Sequence, residues 1–384
     1  MDIKRQIQEV FEELANTLET GVGRRVPVGI TLAGSELGLD VVLQAAEEFA
    51  RENPNADVIV IGPQVDTFLT LEVAEDENAQ AQKMEELLDE GRIEACVSMH
   101  YSFPLGTATV GKIVTPAKGK EVFLATTTGT ASAHRVPAMI LGALAGIIAA
   151  KASGIEEPTL GILNVDGARS VERALKELHE AGYKINFAGS ARAEGGAVMR
   201  GNDLLQGSAD ILVTDSLTGN LLQKTFSAFQ SGGGYETVGE GYGPGIGQEQ
   251  ERLVFIVSRV SGVPVIKGAL KYALRLAQGG WREVAKKEYQ LAEKAGLKAI
   301  LEKAEPKKTK EVDEEVVAPP EEVVTSEISG IDILELEEAV EILWKEGVYA
   351  CSGMGCTGPI IQVSDANTQK AKELLEKAGY LASS

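Results

Sequence analysis

The stretch DILVTDSLTGNLLQKT, residues 210–225, runs from a β-rich segment directly into an amphipathic helical one. Its junction holds small or polar residues, namely Asp215, Thr218, Gly219 and Asn220. A helix that starts there presents unpaired N–H groups and the positive end of its dipole, and both favour a bound anion. Ordinary capping of the helix by Asp215 explains the same residues. The stretch therefore predicts a strand that leads into a helix, with an anion site and a simple cap as alternatives.

The same alternation of β-rich and amphipathic runs continues along the chain from Val26. The predicted strands are residues 28–32, 57–61, 95–98, 121–125, 159–164 and 210–214, and the predicted helices include residues 41–51, 78–90 and 170–181. Such alternation indicates βαβ units. We therefore predict an α/β fold with a doubly wound, mainly parallel sheet and helices on both faces.

Residues that follow predicted strands are the candidates for binding, because ligands of doubly wound sheets sit beyond the carboxyl ends of the strands. Asn164 ends one predicted strand and His100 closely follows another. We expect Asn164, Asp215 and Asn220 to share one cleft, and His100 is a candidate pocket residue. An Asn that merely completes a turn is the alternative for Asn164.

The composition changes sharply near residue 303. Residues 303–327 are charged and contain Pro but no aromatic residue, which is typical of a linker. We predict an α/β domain at residues 1–302 with an amphipathic docking helix at its start, a charged linker at 303–327, and a small C-terminal α/β cysteine domain at 328–384. A flexible linker of about 24 residues would span about 25–30 Å, enough for the small domain to visit two sites.

The sequence CSGMGCTGP, residues 351–359, reads as a glycine-rich loop directly before a strand, with Cys351 and Cys356 on either side of its first glycines. A thiol among glycine N–H groups can ionise to the nucleophilic thiolate, and the same groups could stabilise a tetrahedral intermediate. A buried structural thiol and a reversible disulfide are the alternatives. Two cysteines without a nearby His supply too few ligands for a metal, so we expect none. Cys356 is preferred as the nucleophile, and Cys96 reads as a packed core thiol.

Two other segments have structural interpretations. Residues 231–247 contain eight glycines and read as a flexible surface loop, with a lid or a phosphate-cradling loop as alternatives. Residues 136–150 form an apolar run that is shorter than the ~20 residues of a membrane span. We predict a core helix there and no membrane segment.

The charge and the cysteine content limit the partners and the compartment. A net charge of −20 argues against nucleic acid or an anionic membrane as the main partner. Three cysteines without a secretion signal indicate a reducing cytoplasm.

Three segments resemble the phosphate acyltransferase family of bacterial phospholipid synthesis. They are GIEEPTLGILNVDG (154–167), INFAGSARAEGG (185–196) and DILVTDSLTGNLLQKT (210–225). Two positions depart from that family's pattern, since Val171 stands where its Lys-Gly pair begins and Ser216 replaces the Gly after the motif Asp. A chain of this kind that ends in GMGCTGP, residues 353–359, resembles the alpha subunits of component C of the glycine/sarcosine/betaine reductase complexes.

This second resemblance implies an acyltransferase. Members of that family work beside a β subunit similar to ketoacyl synthases, in a complex that takes a carboxymethyl group from selenoprotein A. The complex forms an acetyl thioester on a cysteine and phosphorolyses it to acetyl phosphate. On this chain the resemblance implies Cys356 as the acetyl carrier, Cys351 as a helper thiol, inorganic phosphate as co-substrate, no cofactor, and a hetero-oligomer. The alternatives are an acyl-carrier:phosphate acyltransferase of phospholipid synthesis and a non-catalytic assembly subunit.

Overall fold

The computed structural model describes residue 11 and residues 25–191, 196–305, 316, 318–332, 335–355 and 358–381. The predicted N-terminal docking helix lies outside this range apart from the exposed Phe11. Cys356 and residues 306–315 of the predicted linker also lie outside it.

The described strands form a large sheet and a small one. The strands of the large sheet are β1 Val26–Thr31, β2 Ala56–Gly62, β3 Thr70–Val73, β4 Ala95–Ser98, β5 Thr107–Val114, β6 Glu121–Thr130, β7 Thr159–Leu163, β8 Asn186–Phe187, β9 Val198–Met199, β10 Ile211–Val213, β11 Gly243–Ile246 and β12 Val254–Ile256. The small sheet contains β13 Ser326–Ser329, β14 Ala350–Gly355 and β15 Gly358–Val363.

The described helices surround these sheets. They are α1 Leu39–Glu52, α2 Glu77–Asp89, α3 Arg135–Ala152, α4 Ala168–Glu180, α5 Gly201–Gln206, α6 Ser216–Ala228, α7 Val263–Gln278, α8 Trp281–Lys294, α9 Leu297–Ala304, α10 Leu336–Lys345 and α11 Thr368–Lys377. Short 3₁₀ helices follow α6 at Phe229–Ser231 and precede α11 at Asp365–Asn367.

The large sheet has the strand order β3-β2-β1-β4-β12-β11-β5-β6-β10-β7-β8, and β9 also pairs with β7. Strands β3, β2, β1, β4 and β12 are mutually parallel, as are β6, β10, β7, β8 and β9. Between the two groups, β11 is antiparallel to β12 and to β5, and β5 is antiparallel to β6. The mainly parallel sheet is confirmed, with the addition that its two parallel halves run in opposite directions.

Helices cover both faces of this sheet, as predicted. Along β2, Val58 and Val60 contact the core against which α1 packs, whereas Ile59 and Ile61 contact a second cluster completed by α2. Successive residues of a strand point to opposite faces, so the two helices lie on opposite sides of the sheet.

Helix α3 is the predicted core helix, extended by one or two residues at each end. By length and hydropathy it could cross a membrane, but 72% of it is buried inside the structure. Its glycines bring it close to the sheet. A Cβ added at Gly142 would lie 2.5 Å from Thr126 Oγ1, and one at Gly146 would lie 2.6 Å from Ile211 Cγ2.

The glycine-rich segment 231–247 is only partly a surface loop. Residues Gly232 and Gly233 are exposed, but the last part forms the buried strand β11 beside β5. A Cβ added at Gly239 would lie 2.8 Å from Lys112 O, and one at Gly247 would lie 2.7 Å from Gly106 O. For residues 239–247 the interpretation as a flexible loop is therefore wrong, because the glycines allow close backbone packing.

The small sheet has the order β13-β15-β14, and both pairings are antiparallel. Helices α10 and α11 cover one face, and the buried residues there form a hydrophobic cluster separate from that of the large sheet. Residues 351–355 were predicted as a loop but lie in β14, paired with β15. We call residues 326–381 the cysteine unit. Helix α9 ends at Ala304 and β13 begins at Ser326, so both reach slightly into the predicted linker.

Candidate active site

Strands β6, β10 and β7 are parallel neighbours, so their carboxyl ends form one edge of the large sheet. Strand β6 continues into α3, β10 into α6 and β7 into α4. Three helices therefore begin at this edge, which we call the three-helix edge and define by residues 126–135, 164–168 and 214–218. Helix N-termini carry positive partial charge and N–H groups without intrahelical partners, so this edge favours anions.

Asp215 caps helix α6. Its Oδ1 accepts hydrogen bonds from the N–H groups of Leu217 and Thr218, each at 3.1 Å. Its Oδ2 accepts a hydrogen bond from the Thr218 hydroxyl at 2.6 Å. The simple-cap interpretation of Asp215 and Thr218 thus has a direct geometric basis. An anion at this edge would be held by other N–H groups and hydroxyls, because the carboxylate itself repels it.

The first turn of α6 contacts strand β6 through Gly219 and Asn220. A Cβ added at Gly219 would overlap the carbonyl oxygen of Thr126, so only glycine fits this position. Asn220 Nδ2 donates a hydrogen bond to the carbonyl oxygen of Thr127 at 3.2 Å. Both residues therefore position the start of the helix, and their role in binding stays a prediction.

Two buried threonine hydroxyls at this edge were not singled out from the sequence. Thr126 Oγ1, at the side of α3, and Thr214 Oγ1, directly before Asp215, have no hydrogen-bond partner among the described residues. Buried hydroxyls in proteins are nearly always hydrogen-bonded, so unpaired ones beside helix N-termini are candidates for contacts with a ligand. The signal available in the sequence was a Thr at or near the end of each predicted strand.

Asn164 lies at the same edge as Asp215. The register pairs Val213 of β10 with Ile162 of β7, which sets Asn164 level with Asp215 two residues further on. Asn164 is exposed, and its N–H donates to the carbonyl oxygen of Met199 at 2.8 Å. The strand order thus brings Asn164, Asp215 and Asn220 to one edge of the sheet, and their sharing of one cleft stays a prediction.

His100 is not part of this group. His100 follows β4, which runs antiparallel to β6, β10 and β7. The carboxyl end of β4 therefore lies at the edge of the sheet opposite to the three-helix edge. Five strand spacings separate β4 from β10, or roughly 24 Å across the sheet. His100 therefore does not belong to the three-helix edge, and its role as a pocket residue stays a prediction.

A cation also lies at the three-helix edge. Arg135 is the first residue of α3, and its Nη1 is 3.1 Å from Asp166 Oδ2. Both side chains are about half exposed, so solvent weakens their attraction. Arg135 can therefore turn towards a bound anion at a small cost. A single Arg before an apolar run carries no specific signal, so the sequence does not single out this residue.

The described cysteines differ in environment. Cys96 is fully buried in β4, and burial raises the pKa of its thiol far above the usual range. Cys351 is partly exposed in β14, and its Sγ lies 3.3 Å from Tyr349 Oη. The hydrogen bond to Cys351 raises the pKa of Tyr349 to about 12. Cys96 is thus a core thiol, as predicted, and Cys351 is accessible to reagents.

The geometry of β14 limits how the two predicted site thiols can interact. Cys351 and Gly355 belong to the same extended strand, so their Cα atoms are about 13 Å apart at the usual rise per residue. A disulfide needs Cα atoms within about 7 Å, and one peptide unit beyond Gly355 covers only about 3.8 Å. While β14 stays extended, Cys351 cannot form a disulfide with the thiol that follows Gly355.

The cysteine unit contacts helix α4 of the large sheet. Arg173 Nη2 forms an ion pair with Glu335 Oε2 at 2.7 Å, and Arg173 Nη1 donates to the carbonyl oxygen of Tyr380 at 3.3 Å. Ser170 Oγ is also 3.4 Å from Glu335 Oε1. Helix α4 starts at the three-helix edge, so the cysteine unit lies against a helix of that edge.

Comparisons with known proteins agree with this architecture. The family model described as fatty acid synthesis protein matches residues 26–362. The glycine/sarcosine/betaine reductase complex component C subunit alpha of Peptoclostridium acidaminophilum is 54% identical, over 99% of this chain and 100% of its own length. A phosphate acyltransferase of Lysinibacillus sphaericus (strain C3-41) is 32% identical over 37% of this chain and 46% of its own length.

A solved structure has a distant likeness to this chain. The branched-chain phosphotransacylase from Enterococcus faecalis V583 overlays with a TM-score of 0.48 and 17% identity, over 66% of this chain and 99% of that one. The sequence relationships are far closer, and one of them extends over both the large sheet and the cysteine unit. The chain belongs to the family of component C alpha subunits of the glycine/sarcosine/betaine reductase complexes.

Proposed function

We propose that this chain is the acyltransferase subunit of a glycine/sarcosine/betaine reductase complex, and that it passes an acetyl group from a cysteine thioester to inorganic phosphate. The observation that carries the proposal is the 54% identity over 99% of the chain to the named subunit. The phosphate acyltransferase relative matches only 37% of the chain. A likeness over the full length includes the cysteine unit, which a lipid-synthesis role does not require.

The chemistry needs a thiol and a site for phosphate. Cys356 takes the acetyl group derived from carboxymethylated selenoprotein A and holds it as a thioester. A phosphate oxygen then attacks the carbonyl carbon, the C–S bond breaks, and the thiolate of Cys356 leaves as acetyl phosphate forms. Phosphate is itself the nucleophile, so the step needs no histidine base and no further cofactor.

The three-helix edge supports the second half of this reaction. A protein of net charge −20 repels phosphate unless the local potential is positive. Three helix N-termini and Arg135 contribute positive potential at this edge, against the carboxylates of Asp166 and Asp215. The Thr214 hydroxyl, which has no described partner, is a candidate donor to a phosphate oxygen. The same N–H groups would stabilise the oxyanion of the tetrahedral intermediate.

The proposal includes the assembly. The chain works in the cytoplasm, in a hetero-oligomer with a β subunit similar to ketoacyl synthases, and receives its acetyl group from a reaction that involves selenoprotein A. The name of the Peptoclostridium acidaminophilum relative, which is a subunit of a complex component, supports a hetero-oligomer.

The test is acetyl phosphate formation by the reconstituted complex. We expect Cys356→Ser to abolish it and Cys351→Ser, the matched control in the same unit, to retain most of it. Acetylation found only on the partner chain would instead indicate that this chain is an assembly subunit. Full turnover with Cys356→Ser would refute the thioester on this residue.

The phosphate half of the proposal has its own test. Thr214→Val keeps the shape of the side chain and removes a buried hydroxyl without a described partner, so we expect no loss of stability. The rate of phosphorolysis should fall roughly tenfold, with a raised KM for phosphate. An unchanged KM for phosphate would remove Thr214 from the site.

An acyl-carrier:phosphate acyltransferase of phospholipid synthesis is the second candidate. It is favoured by the 32% identity to a phosphate acyltransferase over part of the chain. This candidate predicts acyl phosphate from long-chain acyl carrier protein at a rate that Cys356→Ala does not change. The reductase proposal predicts little activity with that substrate.

A further inference from the structure

Arg173 of α4 contacts the cysteine unit at two points that are far apart in sequence. Glu335 directly precedes α10, and Tyr380 follows α11. Glu338 adds a second carboxylate there, since Tyr380 Oη is 3.4 Å from Glu338 Oε2. The guanidinium itself therefore contacts one carboxylate and one backbone carbonyl of the unit.

The covalent connection does not enforce this contact. Helix α9 ends at Ala304 beside α4, where Lys303 Nζ is 2.9 Å from Glu177 Oε2, and β13 begins at Ser326. A connection of about 20 residues can extend up to roughly 70 Å, several times the length of α4. The cysteine unit could lie elsewhere, so its position on α4 depends on the contacts themselves.

The contact also lies close to the three-helix edge. Arg173 is the sixth residue of α4, which puts it about 8 Å along the helix axis from the start of that helix. Strand β7, which leads into α4, is the direct neighbour of β10, which leads into α6. A unit held at Arg173 is therefore beside the edge that would bind phosphate.

The strength of the contact is moderate. The side chains of Arg173 and Glu335 are 28% and 32% exposed, so water and salt screen their attraction. Contacts of this kind permit a docked and an undocked state that exchange readily. A thiol that must visit a partner subunit and a phosphate site needs such an exchange.

We infer that Arg173 is a positioning residue, which docks the cysteine unit on α4 beside the three-helix edge and so sets the fraction of thioester that phosphate can reach. The inference deepens the proposed function and rests on it for the meaning of the docked state. The docking itself is a physical claim that can be measured without any turnover.

The experiment uses charge reversal in the full-length chain. Arg173→Glu and Glu335→Arg are made singly and together, and Arg169→Glu serves as the matched control. Arg169 is exposed on the same helix and pairs with Glu172 within it, without a described contact to the cysteine unit. Amide exchange of peptides from residues 168–174 and 335–343 reports docking, and single-turnover phosphorolysis of the acetylated complex reports its consequence.

We expect each single reversal to raise amide exchange in both peptides and to slow phosphorolysis roughly three- to tenfold. Formation of the thioester should stay unchanged. The double variant should regain both the protection and the rate, because it restores the ion pair in reverse, and Arg169→Glu should change neither.

The two claims can fail separately. Unchanged exchange in the single variants, or a double variant that stays as defective as they are, overturns the inference about Arg173. A wild-type complex that docks its cysteine unit but makes no acetyl phosphate refutes the proposed function and leaves the docking contact intact.

Discussion

The three-helix edge and the cysteine unit are built in contrasting ways. At the edge, the first turn of α6 touches the backbone of β6 at Gly219, and Leu222 and Phe226 of the same helix pack against a cluster of buried hydrophobic residues. Among its described residues, the cysteine unit has a separate cluster of twelve buried hydrophobic residues, and a few polar contacts hold it to α4. Close packing fixes a position, whereas screened polar contacts leave it adjustable. These contacts predict that the three-helix edge is rigid and that the position of the cysteine unit can change.

The largest effect is expected from Gly219→Ala. The added methyl group would overlap the carbonyl oxygen of Thr126, and neither backbone can yield without moving α6 or β6. We expect a loss of unfolding free energy on the order of 3 kcal/mol or more, or no folding at all. Urea denaturation measures it.

The control for this substitution is Gly201→Ala. Gly201 is exposed, starts α5 and has no atom within 4 Å of an added Cβ. Here alanine should leave stability unchanged or raise it by roughly 0.5 kcal/mol. Equal effects of the two substitutions would contradict the rigid edge.

The next effect concerns the independence of the cysteine unit. Leu343 is fully buried in its small cluster, and Leu343→Ala should cost roughly 2–5 kcal/mol. A core this small does not stay folded after such a loss of stability. Amide protection should therefore disappear across residues 335–381 and persist in the large sheet. If protection of β6 and β10 falls in parallel, the two regions unfold as one and the contrast drawn above is wrong.

Much of this arrangement was readable from the sequence, for physical reasons. The strand predicted at residues 95–98 is β4. It was predictable because its four residues, all buried in the structure, are apolar or small. Strand β5 was missed because Lys112 interrupts it. That lysine is buried between Glu121 and Glu240, and the latter lies far away in sequence. Such a partner is visible only in three dimensions.

The direction of the strands and the close packing at glycines could not be predicted from the sequence. The separation of His100 from the other candidate residues could not be predicted, because a sequence does not show which strands run antiparallel. Strand β11 and residues 351–355 of β14 read as loops because glycine-rich stretches lack the alternating side chains that mark a strand. In both cases the neighbouring strand pairs with the glycine-rich backbone, and this pairing makes the segment a strand.

A smaller effect is expected at the cap of α6. Asp215→Ala removes a carboxylate that accepts three hydrogen bonds, and should cost about 1 kcal/mol. Asp215→Asn should recover most of this stability, since Asn also caps helices. Thermal unfolding of the three proteins compares them. If Asp215→Ala does not fold at all, the cap contributes more to the stability of the three-helix edge than its three hydrogen bonds account for.

The smallest effect lies in the cysteine unit. The hydrogen bond to Cys351 raises the pKa of Tyr349 to about 12, so the phenol stays protonated at pH values where free tyrosine has ionised, near 10. The stabilisation is therefore complete below pH 10 and is lost as the pH rises towards 12. In Cys351→Ala the pKa of Tyr349 should fall back towards 10, visible as earlier phenolate absorbance in the near ultraviolet. Identical titration curves would show that the two groups do not interact.

The central pair β11 and β12 has a consequence for synthesis of the chain. Strands β4 and β5 follow each other in sequence, yet β12 pairs with β4 and β11 with β5, and both partners come from residues 243–256. While the ribosome is still making the intervening residues, the facing edges of β4 and β5 have no partner. Unpaired edges attract other extended chains. A nascent chain of this protein can therefore misassemble until residues 243–256 complete the middle of the large sheet. Fragments that end before residue 243 should aggregate.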